Sequence, residues 1–143
     1  MKKEKSSEPK KIPKRLIISE IIKALKSHKE ISFAYLHGSF AKGNNFNDID
    51  IALYLKNLPS SLLDYELKME TELSTVTGRY IVDVRILNVS PLSFRYNVIK
   101  DGLILFAEDD DERSNFQEIT VSMYFDFEPY RKLYLKEALN VEI

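Results

Sequence analysis

Residues 35–55, YLHGSFAKGNNFNDIDIALYL, decide how the rest of the chain is read. From Asp48 onward, Ile49, Ile51, Leu53 and Leu55 alternate with Asp48 and Asp50. Strand side chains point to opposite faces with period two, so this alternation predicts a β-strand with one apolar face and two carboxylates together on the other. Adjacent like charges repel, which costs free energy unless water, a proton or a cation compensates. Paired hard oxygen ligands suit Mg²⁺ or Mn²⁺, which take their remaining ligands from water and substrate phosphates. Upstream, Ile31 to His37 reads as another strand, ending at Gly38-Ser39. A glycine there lets backbone N–H groups approach an anion closely, and the serine adds a hydroxyl donor. The eight residues Phe40 to Asn47 separate that corner from Asp48. A hairpin-like return would place the phosphate cradle and the carboxylates at one edge of a sheet.

The remainder of the chain supplies a scaffold for these strands. At 143 residues there is room for one domain with a real core, but not for a second of ordinary size. Hydrophobic and charged shares of 44% and 30% are those of a soluble globular protein, and a net charge of −1 argues against binding nucleic acid by bulk electrostatics. The absence of cysteine excludes disulfides, thiolate metal sites and thiol nucleophiles. No apolar run reaches membrane-spanning length and no signal-peptide pattern is present, so the expected location is the cytoplasm. Residues 1–15, rich in Lys, Arg, Pro and Ser, read as a disordered basic arm, and residues 16–143 as the single domain.

Within that domain, Ile17, Ile18, Ile21, Ile22 and Leu25 have helical spacing, which predicts a helix over 16–28 packed against the first strand. Ser61-x-x-Asp64 looks like a capping box; Leu62, Tyr65, Met69, Leu73 and Val76 continue as a helical stripe to Gly78. In Tyr80–Leu87, Tyr80, Val82, Val84 and Ile86 share one face of a strand, and Asp83 and Arg85 the other with Ile81 and Leu87. A lone aspartate in such a β-branched run is locally unfavourable, so something should reward it. Ser90-Pro91 reads as a cap with proline at the first helical position, opening a short helix closed by Gly102, and Leu103 to Phe106 as a brief strand. The acidic run Glu108 to Glu112 suits the positive end of a helix that follows. Ile119, Thr120, Met123, Tyr124 and Phe127 are helically spaced, with Pro129 expected to break or restart that helix before Tyr130–Leu135. The aromatic density of this C-terminal segment exceeds what one helix stripe buries, so part of it should face a partner.

HGSFAKGNNFNDIDIAL resembles the signature of the DNA polymerase beta-like nucleotidyltransferases, in which Gly-Ser, a turn and Asp-x-Asp precede a third aspartate on a later strand. Within that superfamily it is most similar to the minimal nucleotidyltransferases, with Gly38, Ser39, Ala41, Lys42, Gly43, Asp48 and Asp50 matching position by position. Asn47 stands where serine is usual, and the turn is about two residues shorter than in typical members. The likeness covers the chain after residue 15. It implies an α+β nucleotidyltransferase fold, a small mixed β-sheet flanked by helices. It further implies Asp48, Asp50 and Asp83 as catalytic ligands of two Mg²⁺ ions, with Mn²⁺ possible, and Gly38 and Ser39 as the phosphate cradle of ATP. Lys42 is a further candidate for the triphosphate. Small proteins of this group act as antitoxins that transfer AMP to a tyrosine of a HEPN-domain toxin, so the implied partners are that toxin and ATP, with no membrane and no direct nucleic-acid contact.

The bland readings stand beside these. Asp-x-Asp alone is common in solvated turns, and it gains meaning here only beside the Gly-Ser corner and the strand-borne Asp83. His37 reads as a structural or edge residue rather than a ligand, because Mg²⁺ prefers oxygen. An exposed turn lysine needs no explanation, and Arg79 and Arg85 have no assigned role, although Arg85 shares the Asp83 face. Two other functions fit: an antitoxin that neutralises its partner by contact alone, and a small-molecule nucleotidyltransferase of the aminoglycoside-modifying sort.

Overall fold

The computed structural model describes residues 13–43, 48–78 and 80–139. Most of the basic arm, the turn residues Asn44 to Asn47 and Arg79 lie outside these. Ten elements follow in order: α1 (Lys14–Lys26), β1 (Ile31–His37), α2 (Gly38–Lys42), β2 (Asp48–Leu55), α3 (Leu62–Thr77), β3 (Ile81–Ile86), a 3₁₀ turn (Leu87–Val89), α4 (Leu92–Asp101), β4 (Leu103–Ala107) and α5 (Asp110–Ala138). The four strands form one mixed sheet in the order β3-β2-β1-β4. β1 is antiparallel to both β2 and β4, and β2 is parallel to β3 across the α3 crossover. This is the small mixed sheet flanked by helices that the resemblance implies.

The alternation of the strands divides the core in two. On one face Leu36, Ile49, Ile51, Leu53, Val82, Val84 and Ile86 pack against Ile17, Ile21 and Leu25 of α1 and Met69 and Leu73 of α3. On the other face Phe33, Tyr35 and Ala52 meet Val98 of α4 and Phe116 of α5. A register irregularity between Ile31 and Phe33 lets Ile31 and Ala34, an odd number of residues apart, reach the same cluster. Phe33 stacks on Tyr54 at 4.8 Å between ring centroids, and Phe116 closes over both.

β3 is an edge strand, and α3 satisfies its outer backbone. Glu70 accepts from the Val84 N–H at 2.8 Å and Glu66 from the Ile86 N–H at 3.2 Å. These bonds cover an edge that would otherwise present free donors, and they hold β3 in register with the helix before it. Asn88 extends the β2 pairing with a side chain, accepting from the Leu55 N–H and donating to its carbonyl, both at 2.9 Å.

Helix boundaries follow local chemistry, with four departures from expectation. Ser61 caps α3 by accepting from the Asp64 N–H at 3.2 Å, and Gly78 ends it at φ +95°. Asp109 caps α5 in the same way, so Asp110, Asp111 and Glu112 lie inside its first turn, where the helix dipole favours acid. α1 starts at Lys14, so Lys14 and Arg15 belong to the helix and not to the arm; Lys14 donates to the Gly43 carbonyl at 2.9 Å. β1 and β2 pair antiparallel, as a hairpin-like return requires, but Gly38 to Lys42 between them is a short helix, pinned by the fully buried Phe40. Ser90 does not cap α4: its hydroxyl donates back to the Ile86 carbonyl at 2.8 Å, and Pro91 is the capping residue. Pro129 does not break α5, which runs through it to Ala138. Proline removes one helical N–H, but on this exposed segment water can serve the carbonyl left over.

Candidate active site

The second face of the sheet changes character along β2. Ala52 and Tyr54 belong to the apolar cluster, whereas Asp50 and Asp48 continue the same row of side chains towards the strand's beginning. Strand register then assembles the site across three strands: His37 of β1 pairs with Asp50 of β2, which pairs with Asp83 of β3. Asp48 lies one step along the same face, opposite Ile81. Asp48, Asp50 and Asp83, though separated in sequence, therefore share one end of one sheet face.

Gly38 closes this end of the sheet. It has φ +76°, and a Cβ added to it would collide with the Asp50 carboxylate. Both the backbone conformation and the close approach of Asp50 thus require glycine here. Ser39 follows on the exposed side of α2. Lys42 is not gathered in with the rest: its ammonium lies 4.0 Å from Asp101, on the α4 side.

The electrostatics are those of crowded carboxylates. Partial burial, followed by the charges of Asp83 and Asp48, raises the Asp50 carboxyl above its usual range, and Arg85 acts in the opposite sense. Burial likewise lowers the His37 imidazole below its usual value; Asp83 acts in the opposite sense and Arg85 in the same sense as burial. His37 Nε2 is buried without a hydrogen-bond partner among the described residues. Its ring stands edge-on to Phe94 at 5.4 Å, and the Arg85 guanidinium lies 5.9 Å from the same Phe94 ring. Arg85 Nε is 3.5 Å from Asp83 Oδ2. Arg85, His37 and Phe94 are the site residues that sequence reasoning left without a role. Alternation placed Arg85 on the Asp83 face without giving it a task; the position of His37 depends on strand register and that of Phe94 on the docking of α4, neither of which is local.

The donor set fits a hard divalent cation. Three carboxylates with a raised Asp50 describe negative charge short of a counter-ion, the condition a bound cation relieves. Among the described residues no three acidic or imidazole groups close around one metal position. Mg²⁺ does not need such a cage, because it binds through one or two carboxylates and completes its shell with water and substrate phosphates.

Comparison with known proteins agrees with this architecture. No curated protein matches the chain by sequence. Among solved structures, it is similar to a chain in the complex of a tri-AMPylated Shewanella oneidensis HEPN toxin with MNT antitoxin, with 22% identity, a TM-score of 0.72, and coverage of 89% of this chain and 99% of that one. A chain of a toxin–antitoxin structure with AMP-PNP gives 24% identity, a TM-score of 0.72 and coverage of 85% and 98%. A chain of the toxin–antitoxin MntA-HepT gives 21%, 0.70, and coverage of 87% and 98%. At these identities the likeness speaks for the fold. The family model described as polymerase beta, nucleotidyltransferase, matches residues 19–111, from α1 through the first turn of α5, and the chain belongs to that family.

Proposed function

We propose that this protein is a Mg²⁺-dependent adenylyltransferase that moves AMP from ATP onto a tyrosine hydroxyl of a HEPN toxin and so acts as its antitoxin. The observation that carries this reading is the placing of Asp48, Asp50 and Asp83 on one sheet face, against a Gly38 that admits no side chain. Asp48 and Asp50 would hold the divalent ions together with Asp83, and bound Mg²⁺ would supply Lewis-acid stabilisation of the phosphoryl oxygens. Gly38 and Ser39 would bind the outer phosphates, leaving the α-phosphorus open to attack. The acceptor oxygen forms its bond to that phosphorus as the bond to the β-phosphate oxygen breaks. Pyrophosphate departs, and Asp83 accepts the hydroxyl proton. Positioning and electrostatics account for most of the catalysis in such a transfer.

The likeness to a chain from the complex of a tri-AMPylated HEPN toxin with MNT antitoxin, and to a chain of a toxin–antitoxin structure with AMP-PNP, supports the choice of a HEPN toxin as acceptor and of ATP as donor. A toxin surface is also available: along the C-terminal half of α5, Phe125, Phe127, Tyr130, Leu133 and Tyr134 are exposed, Tyr130 to 72%. Large exposed apolar groups of this density mark a contact surface. No described helix is long and apolar enough to cross a membrane.

The test is to incubate the purified protein with Mg²⁺, ATP labelled at the α-phosphate and the product of the neighbouring gene as candidate toxin. Label on the toxin, absent with Asp48→Asn, is expected. A stable complex without label, and toxin still neutralised by Asp48→Asn, Asp50→Asn, would replace this reading by an antitoxin that acts through contact alone.

A further inference from the structure

We propose that Arg85 is a two-position residue: it rests on Asp83 while the nucleotide site is empty and transfers to the polyphosphate when ATP enters. The inference rests on the adenylyltransferase reading above and goes beyond it by naming what balances the carboxylates before substrate arrives.

Three observations converge on Arg85. It lies one register step from the Asp50–Asp83 pair, opposite Ala52 and on the carboxylate face. Its Nε is 3.5 Å from Asp83 Oδ2, with the two side chains 56% and 42% exposed, so the contact is loose and the guanidinium is free to leave it. Its guanidinium also faces the Phe94 ring at 5.9 Å, a platform that attracts a cation without fixing its hydrogen bonds. The other cation considered for the triphosphate, Lys42, is drawn towards Asp101 at 4.0 Å.

The chemistry of the side chain selects its second partner. A guanidinium offers a planar fork of donors that matches phosphate oxygens two at a time, and it is always charged. In the empty site Arg85 offsets part of the carboxylate charge and competes with a divalent ion for Asp83. Polyphosphate arriving with its own ion supplies a better acceptor for the fork and removes the reason for Arg85 to remain on Asp83. The pair Asp83–Arg85 is therefore a charge lock opened by the substrate itself.

The two positions predict changes of opposite sign. Mn²⁺ binding to nucleotide-free protein and AMP-PNP binding in saturating Mg²⁺ are measured by calorimetry for wild type, Arg85→Gln and Arg85→Lys. Loss of the competitor should tighten Mn²⁺ about two- to fivefold in Arg85→Gln, the scale of an exposed ion pair. Loss of a charge-assisted phosphate contact should weaken AMP-PNP about tenfold or more, with Arg85→Lys between the two. A residue that merely steadies β3 would weaken both. Unchanged or weaker Mn²⁺ binding, or equal AMP-PNP binding by wild type and Arg85→Gln, overturns the proposal while leaving the adenylyltransferase reading in place. Wild-type protein that binds no AMP-PNP overturns both. Opposed shifts without labelling of a toxin would keep Arg85 in this role and move the search to another acceptor.

Discussion

Replacing Gly38 with alanine tests whether the approach of Asp50 to the β1–α2 corner matters. Two separable effects act at this position. A φ of +76° costs a residue with a Cβ about 1–2 kcal/mol. The new methyl also occupies the space of the Asp50 carboxylate, which must move off its present rotamer or push β2 away from the corner. Gly78 provides the comparison: its φ is +95°, but an added Cβ meets no described atom within 4 Å, so Gly78→Ala carries the backbone cost alone. Gly43→Ala carries neither, since Gly43 is extended at φ −160° and an added Cβ is free of the described atoms. Urea unfolding should therefore rank Gly43→Ala near wild type and Gly78→Ala about 1–2 kcal/mol below it, with Gly38→Ala at least as low. AMP transfer should separate the last two. Gly78→Ala keeps near-normal turnover in its folded fraction, whereas Gly38→Ala loses about a hundredfold or more, because an Asp50 displaced by about an ångström no longer aligns the reactants. If Gly38→Ala were as active as Gly78→Ala at equal folded fraction, the close approach would have no catalytic meaning, and the glycine would be explained by its backbone angle alone.

Asp50→Asn should abolish transfer yet unfold at pH 7 no more easily than wild type. The folded protein holds the Asp50 proton more tightly than the unfolded chain does, so ionising it opposes folding; any gain from the amide should fade as pH falls towards the unfolded carboxyl value, and a loss of stability at pH 7 would contradict the crowding. Glu70→Ala strips the Val84 N–H of its acceptor on the edge of β3 and should cost about 1.5–3 kcal/mol in urea unfolding, with reduced transfer because Asp83 precedes Val84. Ser61→Ala removes the α3 cap and should cost about 1 kcal/mol while leaving the transfer rate of folded protein unaltered. Pro129→Ala restores a helical N–H in α5 and should slow amide exchange around 125–133, with transfer unchanged if that segment only carries contact residues.

What could be read from the sequence was what depends on local period. Alternation in Asp48–Leu55 and Ile81–Ile86 set out both strands, their buried faces and the three aspartates, because period two leaves each side chain one of two faces. Register across strands is a tertiary choice, so the pairing of His37 with Asp50, and of Asp50 with Asp83, was not available from either segment alone. The same limit applies to Phe94, which reaches the site only because α4 lies across this face. Gly38 was singled out for its closeness to phosphate, whereas the structure reveals a nearer cause in the Asp50 carboxylate; the residue type is common to both reasons. Pro129 misled because its local effect is to break helices, yet the cost is smaller where the helix is exposed and the orphaned carbonyl meets water.

Stability and chemistry are separated along β2, and this separation is what lets a small domain tolerate its site. The four apolar residues of the strand, Ile49, Ile51, Leu53 and Leu55, are buried beneath α1 and α3 whatever the other face carries. On that other face, Tyr54 and Ala52 join the second cluster, and only the first steps of the strand are given to carboxylates. Burying a large aliphatic side chain contributes about 1.5–3 kcal/mol, so the apolar face can hold the strand against repulsion at its acidic end. Partial burial, with the charges of Asp83 and Asp48 added to it, then shows in the folded protein as the raised Asp50 carboxyl. Extending the acidic row by Ala52→Asp would remove that separation: a third carboxylate would enter a fully buried position among Phe33, Tyr35 and Val98. Such a change should unfold the domain at neutral pH, where Asp48→Asn and Asp50→Asn leave it folded, and circular dichroism of the three variants would decide it.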